Sequence, residues 1–549
     1  MQKQEKNPLQ YVRENILRLK PYSTARDDFQ GNTEAISTWL DANENPFDNR
    51  VNRYPDPHQR ELKAVVAALK GVTPDMLFIG GSGSDEAIDL TFRIFCEPGR
   101  SNAVAIAPSY GVYQVAADVN DVAVKQVMLG EDYSLPVEKL LEATDADTRL
   151  MWICSPNNPT GNAFAREDIL DLCRRFDGMV VVDEAYVDFS TLGSMVDFIA
   201  ECPNLIVLQT FSKAWGMAGL RLGMAIADPR VAELFARVKY PYNVNGPTQR
   251  EVISRIEGTD IRRMVDTLVA ERGRLAAALE KTPGVQRVYP SDANFLLVRF
   301  DDPESVFKML MENGVIVRNR NTTPGCEGCL RITVGTPEEN SRVISLLNPG
   351  NEVADDTSRS AAISRATSET KIDCRVNLDG VGESEVSTGL KFFDHMLWQL
   401  PHHAGISMTL RCDGDLEVDE HHTMEDVAIA LGDALREALA DKRGIGRYGF
   451  VLPMDDCRAM VLMDLGGRVD FDWDVPFTRE YVGDTPTEMY SHFFKTLATA
   501  MRCNLHVKAV GENNHHLIEA VFKGFARALR MAVERRPFCY DLPSSKGML

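Results

Sequence analysis

FSKAWGMAGLRLG (211–223) follows closely on the apolar run LIVL (205–208) and places Lys213 and Arg221 just beyond it. Three further runs, AVAIA (103–107), RLMWIC (149–154) and MVVV (179–182), share that layout: short, apolar and ended by Pro, Ser, Asp or Thr. Such runs read as buried strands, and 61–70 and 166–175 carry the period of amphipathic helices between them. The front of the chain is therefore α/β, and ligands in such sheets gather beyond the strand ends. The polar residues found there are Asp183 and Tyr186 in MVVVDEAY (179–186) and Asn158 in SPNNPTG (155–161). GGSGSDEAI (80–88) reads as a glycine-rich turn opening a helix.

At 549 residues the chain is long for one core, so two or three units are expected. A formal charge of −20 argues against general binding to nucleic acid or anionic membrane, and the partners expected are small molecules. The start, MQKQEKNPLQYVREN, lacks the layout of a signal peptide, and no apolar run is long enough to span a bilayer. The eleven cysteines read as reduced cytoplasmic thiols, and the isolated CEGC (326–329) as an incidental pair. LNPGNEVADDTSRSAAIS (347–364) has no apolar period and reads as a linker, giving units at 1–347 and 364–549 joined by 348–363. Of ten histidines only His58 precedes that boundary.

The four front segments together suit pyridoxal phosphate. That cofactor needs a lysine to condense with its aldehyde and carry a proton between substrate and cofactor carbons, the role of Lys213. It needs a carboxylate to keep the pyridine nitrogen protonated, which suits Asp183. Tyr186 and Asn158 can donate to the ring phenolate oxygen. The amides of Ser84 and Asp85 at a helix N-terminus, with Thr210, Ser212 and Arg221, suit the cofactor phosphate. GSGSDE or NPTG alone is a common loop and SKxxxxxxxR after a strand is more specific; the four in this order are not a coincidence.

LRLKPYSTAR (17–26), LDANENP (40–46), NRYPDP (52–57) and GCLRITVGT (328–336) extend the pattern. With them, residues 7–347 resemble fold-type I aminotransferases, and closely the histidinol-phosphate aminotransferase family. The resemblance implies a large mixed sheet with flanking helices plus a small α/β domain. It also implies Tyr110 stacked on the cofactor ring, and Tyr54 reaching the cofactor phosphate of a neighbouring subunit in an obligate dimer. Tyr22, Arg318 and Arg331 would hold the substrate's phosphate, with glutamate and 2-oxoglutarate as the other pair. Arginine forks suit bidentate recognition of oxyanions.

The back of the chain repeats itself. FFDHMLWQL (392–400) is echoed by SHFFKTLAT (491–499), and EHHTMEDVAIALGDALREAL (420–439) by NHHLIEAVFKGFARALRMAV (514–533). A duplicated half with pseudo-twofold symmetry is the economical explanation. Both repeats carry HHxxE on a helix, where His421 and His422 would both lie near Glu425, as would His515 and His516 near Glu519. Adjacent histidines diverge by about 100°, so two ions take one each. His395 and His492 are the matched extra ligands, giving three histidines and one glutamate per ion. Ligand softness fits manganese, iron, cobalt or zinc. His402, His403 and His506 have no alignable partner and read as structural or surface residues.

RATSETKID (365–373), STGLKFFDHML (387–397), GIGRYG (444–449), GGR (466–468) and SSKGML (544–549) complete a second pattern. Residues 363–549 resemble imidazoleglycerol-phosphate dehydratase. The resemblance implies a duplicated β/α half-fold, two Mn²⁺ ions and a large assembly with sites between subunits. It places Arg447, Arg468, Ser545, Lys546 and also Lys523 at the substrate phosphate, beside the metal motifs, and leaves Glu369 and Glu519 as candidates for moving the proton. PMDD (453–456) departs from the family's PMDE, which puts any contact from Asp456 in doubt. The product implied for the back unit, imidazole-acetol phosphate, is the keto substrate implied for the front unit. The alternative is an aminotransferase of other specificity, aromatic for example, fused to a metal-binding assembly module.

Overall fold

The computed structural model describes residues 6–24, 38–348, 359–380, 384–442, 444–449, 452–534 and 542–544. It divides into two compact units, Met1–Val353 and Ala354–Leu549. Among the described residues no helix is long and apolar enough to cross a membrane.

The first unit is built on seven strands, β1 (Leu77–Gly83), β2 (Asn102–Ala107), β3 (Ala123–Met128), β4 (Thr148–Cys154), β5 (Met179–Asp183), β6 (Leu205–Thr210) and β7 (Gly223–Ala227). They lie in the order β1-β7-β6-β5-β4-β2-β3. β7 is antiparallel to both neighbours and the rest are parallel. The central strands read as continuous apolar runs because both faces are covered: Val180 and Val182 join one core cluster, Met179 and Val181 another. The helices Arg60–Lys70 and Arg166–Arg175 match the expected positions.

The glycine-rich turn expected at 80–88 is instead the end of β1, and the helix Ser84–Phe95 begins directly after it. Glycine hides the strand because a side chain has no room. A Cβ at Gly81 would stand 1.9 Å from Asn243 O, and one at Gly223 on β7 would stand 2.2 Å from Ser84 N. A smaller antiparallel sheet follows, β8 (Val285–Val288), β9 (Phe295–Phe300), β10 (Arg318–Asn319) and β11 (Cys329–Thr333), ordered β10-β11-β9-β8 over its own core.

The second unit contains the duplication. Strands β12 (Ser360–Ala366), β13 (Thr370–Asn377), β14 (Glu385–Ser387) and β15 (Ser407–Gly414) form the first sheet, ordered β12-β13-β15-β14. β16 (Tyr448–Gly449), β17 (Leu452–Met454), β18 (Cys457–Asp464) and β19 (Asp470–Asp474) precede a short ribbon, β20 (Tyr481–Val482) with β21 (Thr485–Pro486), and then β22 (Asn504–Val510). The halves share pairing rules: β13 is antiparallel and β14 parallel to β15, as β18 and β19 are to β22. β12 begins inside the stretch expected to be linker, because Ser360–Ala366 pairs residue for residue with β13. Its small alanines gave no apolar alternation to read. Residues 349–358 of that stretch lie outside the described residues.

Four helices pack between the sheets, and they pack crosswise. The helix His421–Leu439 of the first half lies against Glu488–Met501 of the second, while Lys391–Ala404 lies against Asn514–Val533. Gly432 permits the first contact, since a Cβ there would stand 2.5 Å from Ala500 Cβ and 3.0 Å from Leu497 O.

Candidate active sites

Beyond the carboxyl ends of β4, β5 and β6 the first unit has a cavity of about 390 Å³. Its wall brings together Ser84, Asp85, Tyr110, Asn158, Asp183, Tyr186, Thr210, Ser212, Lys213, Arg221, Arg318 and Arg331 from distant parts of the chain. Asp183 sits at the end of β5, accepting hydrogen bonds from Tyr113 O–H (2.6 Å) and Ala185 N–H (3.1 Å). Burial pushes its carboxyl above the ordinary range, and the bond from Tyr113 opposes that. Lys213, 5.7 Å from the centre of the Tyr186 ring, is lowered by burial and then by the charge of Arg331. A buried amine that sheds its proton readily is poised to attack a carbonyl.

At the same cavity the helix Ser84–Phe95 presents its first amides. Arg221, in the left-handed region (φ 54°), sends Nη2 to Ser82 O (3.2 Å) and lies 3.6 Å from Asp85. Thr210 and Ser212 are joined hydroxyl to hydroxyl at 3.0 Å. Helix amides, two hydroxyls and a guanidinium form a donor set suited to a phosphate, so this cavity fits pyridoxal phosphate.

Two expected residues are not at this cavity. Tyr22 is 74% exposed, and Tyr54 stacks on Tyr242 at 4.4 Å. For Tyr54 the expectation was a neighbouring subunit's site. Two residues were passed over in the sequence: Tyr113, which holds Asp183, and Arg320, which lines the cavity with Arg318. Their signals were present, as a second tyrosine in PSYGVY and as the alternation Arg-Asn-Arg.

In the second unit the crosswise helices bring His492 onto the first HHxxE motif. Ligand atoms of His421, Glu425 and His492 all lie within 4.8 Å of one another. His421 Nε2 is 3.4 Å and His492 Nε2 3.5 Å from Glu425 Oε2. His492 Nε2 is buried without a hydrogen-bond partner, a ring nitrogen open to a cation. The counterpart cluster joins His515 and Glu519 (3.6 Å) to His395, whose ring centre is 6.4 Å from that of His515. Two imidazoles and a carboxylate fit a borderline divalent ion.

The second histidines do not join their own glutamates, correcting the expectation from helical spacing. His422 Nδ1 turns to Asp415 (3.2 Å), with Glu369 3.8 Å away, and His516 Nδ1 bonds Asp456. A side chain's direction depends on its rotamer as well as its helical angle, and these carboxylates capture the rings. Asp456 therefore has a contact despite its shortened side chain, and it raises His516 as Asp415 raises His422.

Two of the phosphate residues, Arg447 and Arg468, are not beside the metal motifs of their own copy. Arg447 N–H bonds Ala532 O, at the far end of the 20-residue helix that begins with the HHLIE motif, about 30 Å long. Its guanidinium is held by Asp464 and Pro543 O. Arg468 lies between β18 and β19 at the same far end, where its carbonyl accepts from Asn504. Lys523 is paired with Glu519 at 2.8 Å. Burial works to raise Glu519, but the bond and charge of Lys523 together with His515 and His395 outweigh it and hold the carboxyl low. Ser545 and Lys546 lie outside the described residues.

Residues 26–347 match the model of aminotransferase class I and II. The chain belongs to that family. A histidinol-phosphate aminotransferase of Bacteroides fragilis is 50% identical over 337 residues, 61% of this aminotransferase chain and 97% of the relative. One from Parabacteroides distasonis is 49% identical over 338 residues, 61% and 96% of the two chains. The crystal structure of the Clostridium acetobutylicum histidinol-phosphate aminotransferase superposes with a TM-score of 0.50 at 23% identity, covering 54% of this chain and 90% of that one, and shows the fold. Residues 388–529 match the model of imidazoleglycerol-phosphate dehydratase. This aminotransferase thus carries a metal-dependent dehydratase behind it, and the chain is a bifunctional enzyme of histidine biosynthesis.

Proposed function

We propose the following division of labour. The second unit dehydrates imidazoleglycerol phosphate to imidazole-acetol phosphate, and the first transaminates between that ketone with glutamate and histidinol phosphate with 2-oxoglutarate. What carries the reading is the convergence of Lys213, Asp183, Arg221, Arg318 and Arg331 on one cavity.

Pyridoxal phosphate, when bound, supplies an aldehyde that condenses with amines and a ring that withdraws electrons. Asp183 holds the ring nitrogen protonated, and Tyr113 fixes Asp183. Lys213, as a free amine, would move the proton between the two carbons. Tyr186 and Asn158 donate to the ring oxygen, and Tyr110 covers the ring face. Thr210, Ser212, Arg221 and the amides of Ser84 and Asp85 hold the cofactor phosphate. Arg318 and Arg331 take the substrate's phosphate, and Tyr54 serves a partner's cofactor in a dimer. The cationic cavity wall disfavours the aromatic-substrate alternative.

In the second unit His421, Glu425 and His492 hold one ion, and His395, His515 and Glu519 the other, with Mn²⁺ the ion proposed. His422 and His516, each tethered through Nδ1, leave Nε2 as a fourth ligand for another copy's cluster. Arg447, Arg468, Ser545 and Lys546 likewise reach the substrate phosphate of a neighbouring copy, so the working site lies within a larger homo-oligomer. The ions supply Lewis acidity to the departing hydroxyl. Glu369 moves the proton, because Glu519 is already engaged as a ligand and by Lys523. The described cysteines are free, in keeping with the cytoplasmic location proposed.

Assays of both reactions on the purified chain test the division. Lys213→Ala should lose transamination by at least about a thousandfold and keep the dehydratase, and His492→Ala should do the reverse with loss of bound metal. Loss of both activities in each variant, or of neither, would overturn it.

A further inference from the structure

Arg318 and Arg331 face each other directly across β10 and β11. Like charges placed opposite on one sheet face repel. Arg320 stands two positions beyond Arg318, so strand alternation returns it to the same face, and it lines the same cavity. The intervening Asn319 goes the other way, to Glu304 at 2.9 Å. Three guanidiniums therefore share one end of the cavity. Among the described residues no carboxylate pairs with any of them; the one side-chain acceptor bonded is Asn158, by Arg331. The Nε atoms of Arg320 and Arg331 are buried without hydrogen-bond partners. Around the whole cavity, five cationic side chains, Lys213, Arg221, Arg318, Arg320 and Arg331, face two carboxylates, Asp85 and Asp183.

Such a surplus costs stability unless an anion fills it. Arg221 and the helix amides are assigned to the cofactor phosphate, so the surplus here belongs to the substrate. A carboxylate has one charge and two oxygens with about four acceptor sites between them, which two guanidinium forks can fill. A phosphate monoester has two charges and three terminal oxygens, and two forks leave it short of donors.

The geometry points to Arg320 as the third guanidinium of the substrate-phosphate subsite, the residue that makes this end of the cavity prefer a phosphate dianion to a carboxylate. The inference rests on assigning this end of the cavity to the substrate phosphate. Arg320 binds and does not take part in proton transfer, so its loss is felt where the dianion is bound. The loop that carries it is tied independently, by Arg320 N–H to Cys329 O (3.0 Å) and Tyr133 O–H to Gly325 O (2.7 Å). The backbone therefore does not depend on the guanidinium.

The test compares Arg320→Gln, Arg320→Lys and Arg331→Lys in the full-length holoenzyme, with histidinol phosphate, unphosphorylated histidinol and glutamate as amino donors. For Arg320→Gln, KM for histidinol phosphate should rise about tenfold or more, while kcat and the kinetics of histidinol and glutamate stay within about twofold. Inhibition by inorganic phosphate should weaken in parallel, and Arg320→Lys should recover part of the loss. Equal damage to all three donors would mark Arg320 as structural and overturn the inference. If Arg331→Lys loses histidinol phosphate selectively and Arg320→Gln does not, the inference falls and the subsite assignment stands. If neither discriminates, the assignment falls with it. Should Arg320→Gln not fold, Arg320→Lys carries the same comparison, a selective rise in KM supporting the inference and its absence overturning it.

Discussion

Glu184 follows Asp183 directly, yet the two carboxyls have opposite surroundings. Asp183 opens on the cavity, whereas Glu184 is buried behind it, accepting from Ser194 O–H, Met195 N–H and Gln209 Nε2–H. Burial raises Glu184 from its ordinary 4.5 to about 7. Between those values the unfolded chain has released a proton that the folded chain keeps, so stability falls as pH rises through the window and levels off above it. The swing is on the order of 3 kcal/mol. Thermal unfolding midpoints of the first unit, followed from pH 5 to 8, should slope less in Glu184→Gln than in the parent. Parallel slopes would refute the assignment. In the second unit Asp415 and Asp456 orient His422 and His516 from behind. Asp415→Ala or Asp456→Ala should weaken metal binding about 10- to 100-fold, read by equilibrium dialysis against a metal buffer. Unchanged affinity would make these contacts incidental.

Two glycines set how closely whole elements approach. At Gly223 a Cβ would strike Ser84 N, the start of the helix that faces the cofactor phosphate. Gly223→Ala should therefore separate β7 from that helix, destabilise by about 1–3 kcal/mol and weaken retention of pyridoxal phosphate on gel filtration. Full retention would show that the helix tolerates the shift. Gly432 does the same for the crossing of His421–Leu439 with Glu488–Met501, the contact that delivers His492. Gly432→Ala should lower metal content at the His421 cluster while transamination is untouched. The repeat in sequence announced both helices and both motifs. It did not announce that each extra histidine serves the other half's motif, because that follows from which helices pack together, and pairwise helix packing is set by side chains distributed over both.

The two units have separate apolar cores, so they should unfold as separate transitions. Only the second is linked to metal. A strong chelator should lower its calorimetric midpoint and abolish the dehydratase, leaving the first transition and transamination in place. A joint shift of both transitions would mean that the units are energetically coupled.

The classes of chemistry, and where along the chain each resides, were legible in the amino-acid order alone. A lysine beyond a buried strand, a carboxylate beyond another and HHxxE twice over are local patterns, legible because strand ends and helix faces follow from periods of two and 3.6. That order also determined the duplicated architecture, since a repeated order of motifs survives without coordinates. Which residues stand beside which came from the packed fold. Arg320 joins Arg318 and Arg331 through a strand pairing, His492 crosses to Glu425, and Arg447 and Arg468 lie at the far end of their own copy from the metal clusters. Such neighbourhoods are made by packing between elements distant in the chain, and no spacing along one segment encodes the distance between two.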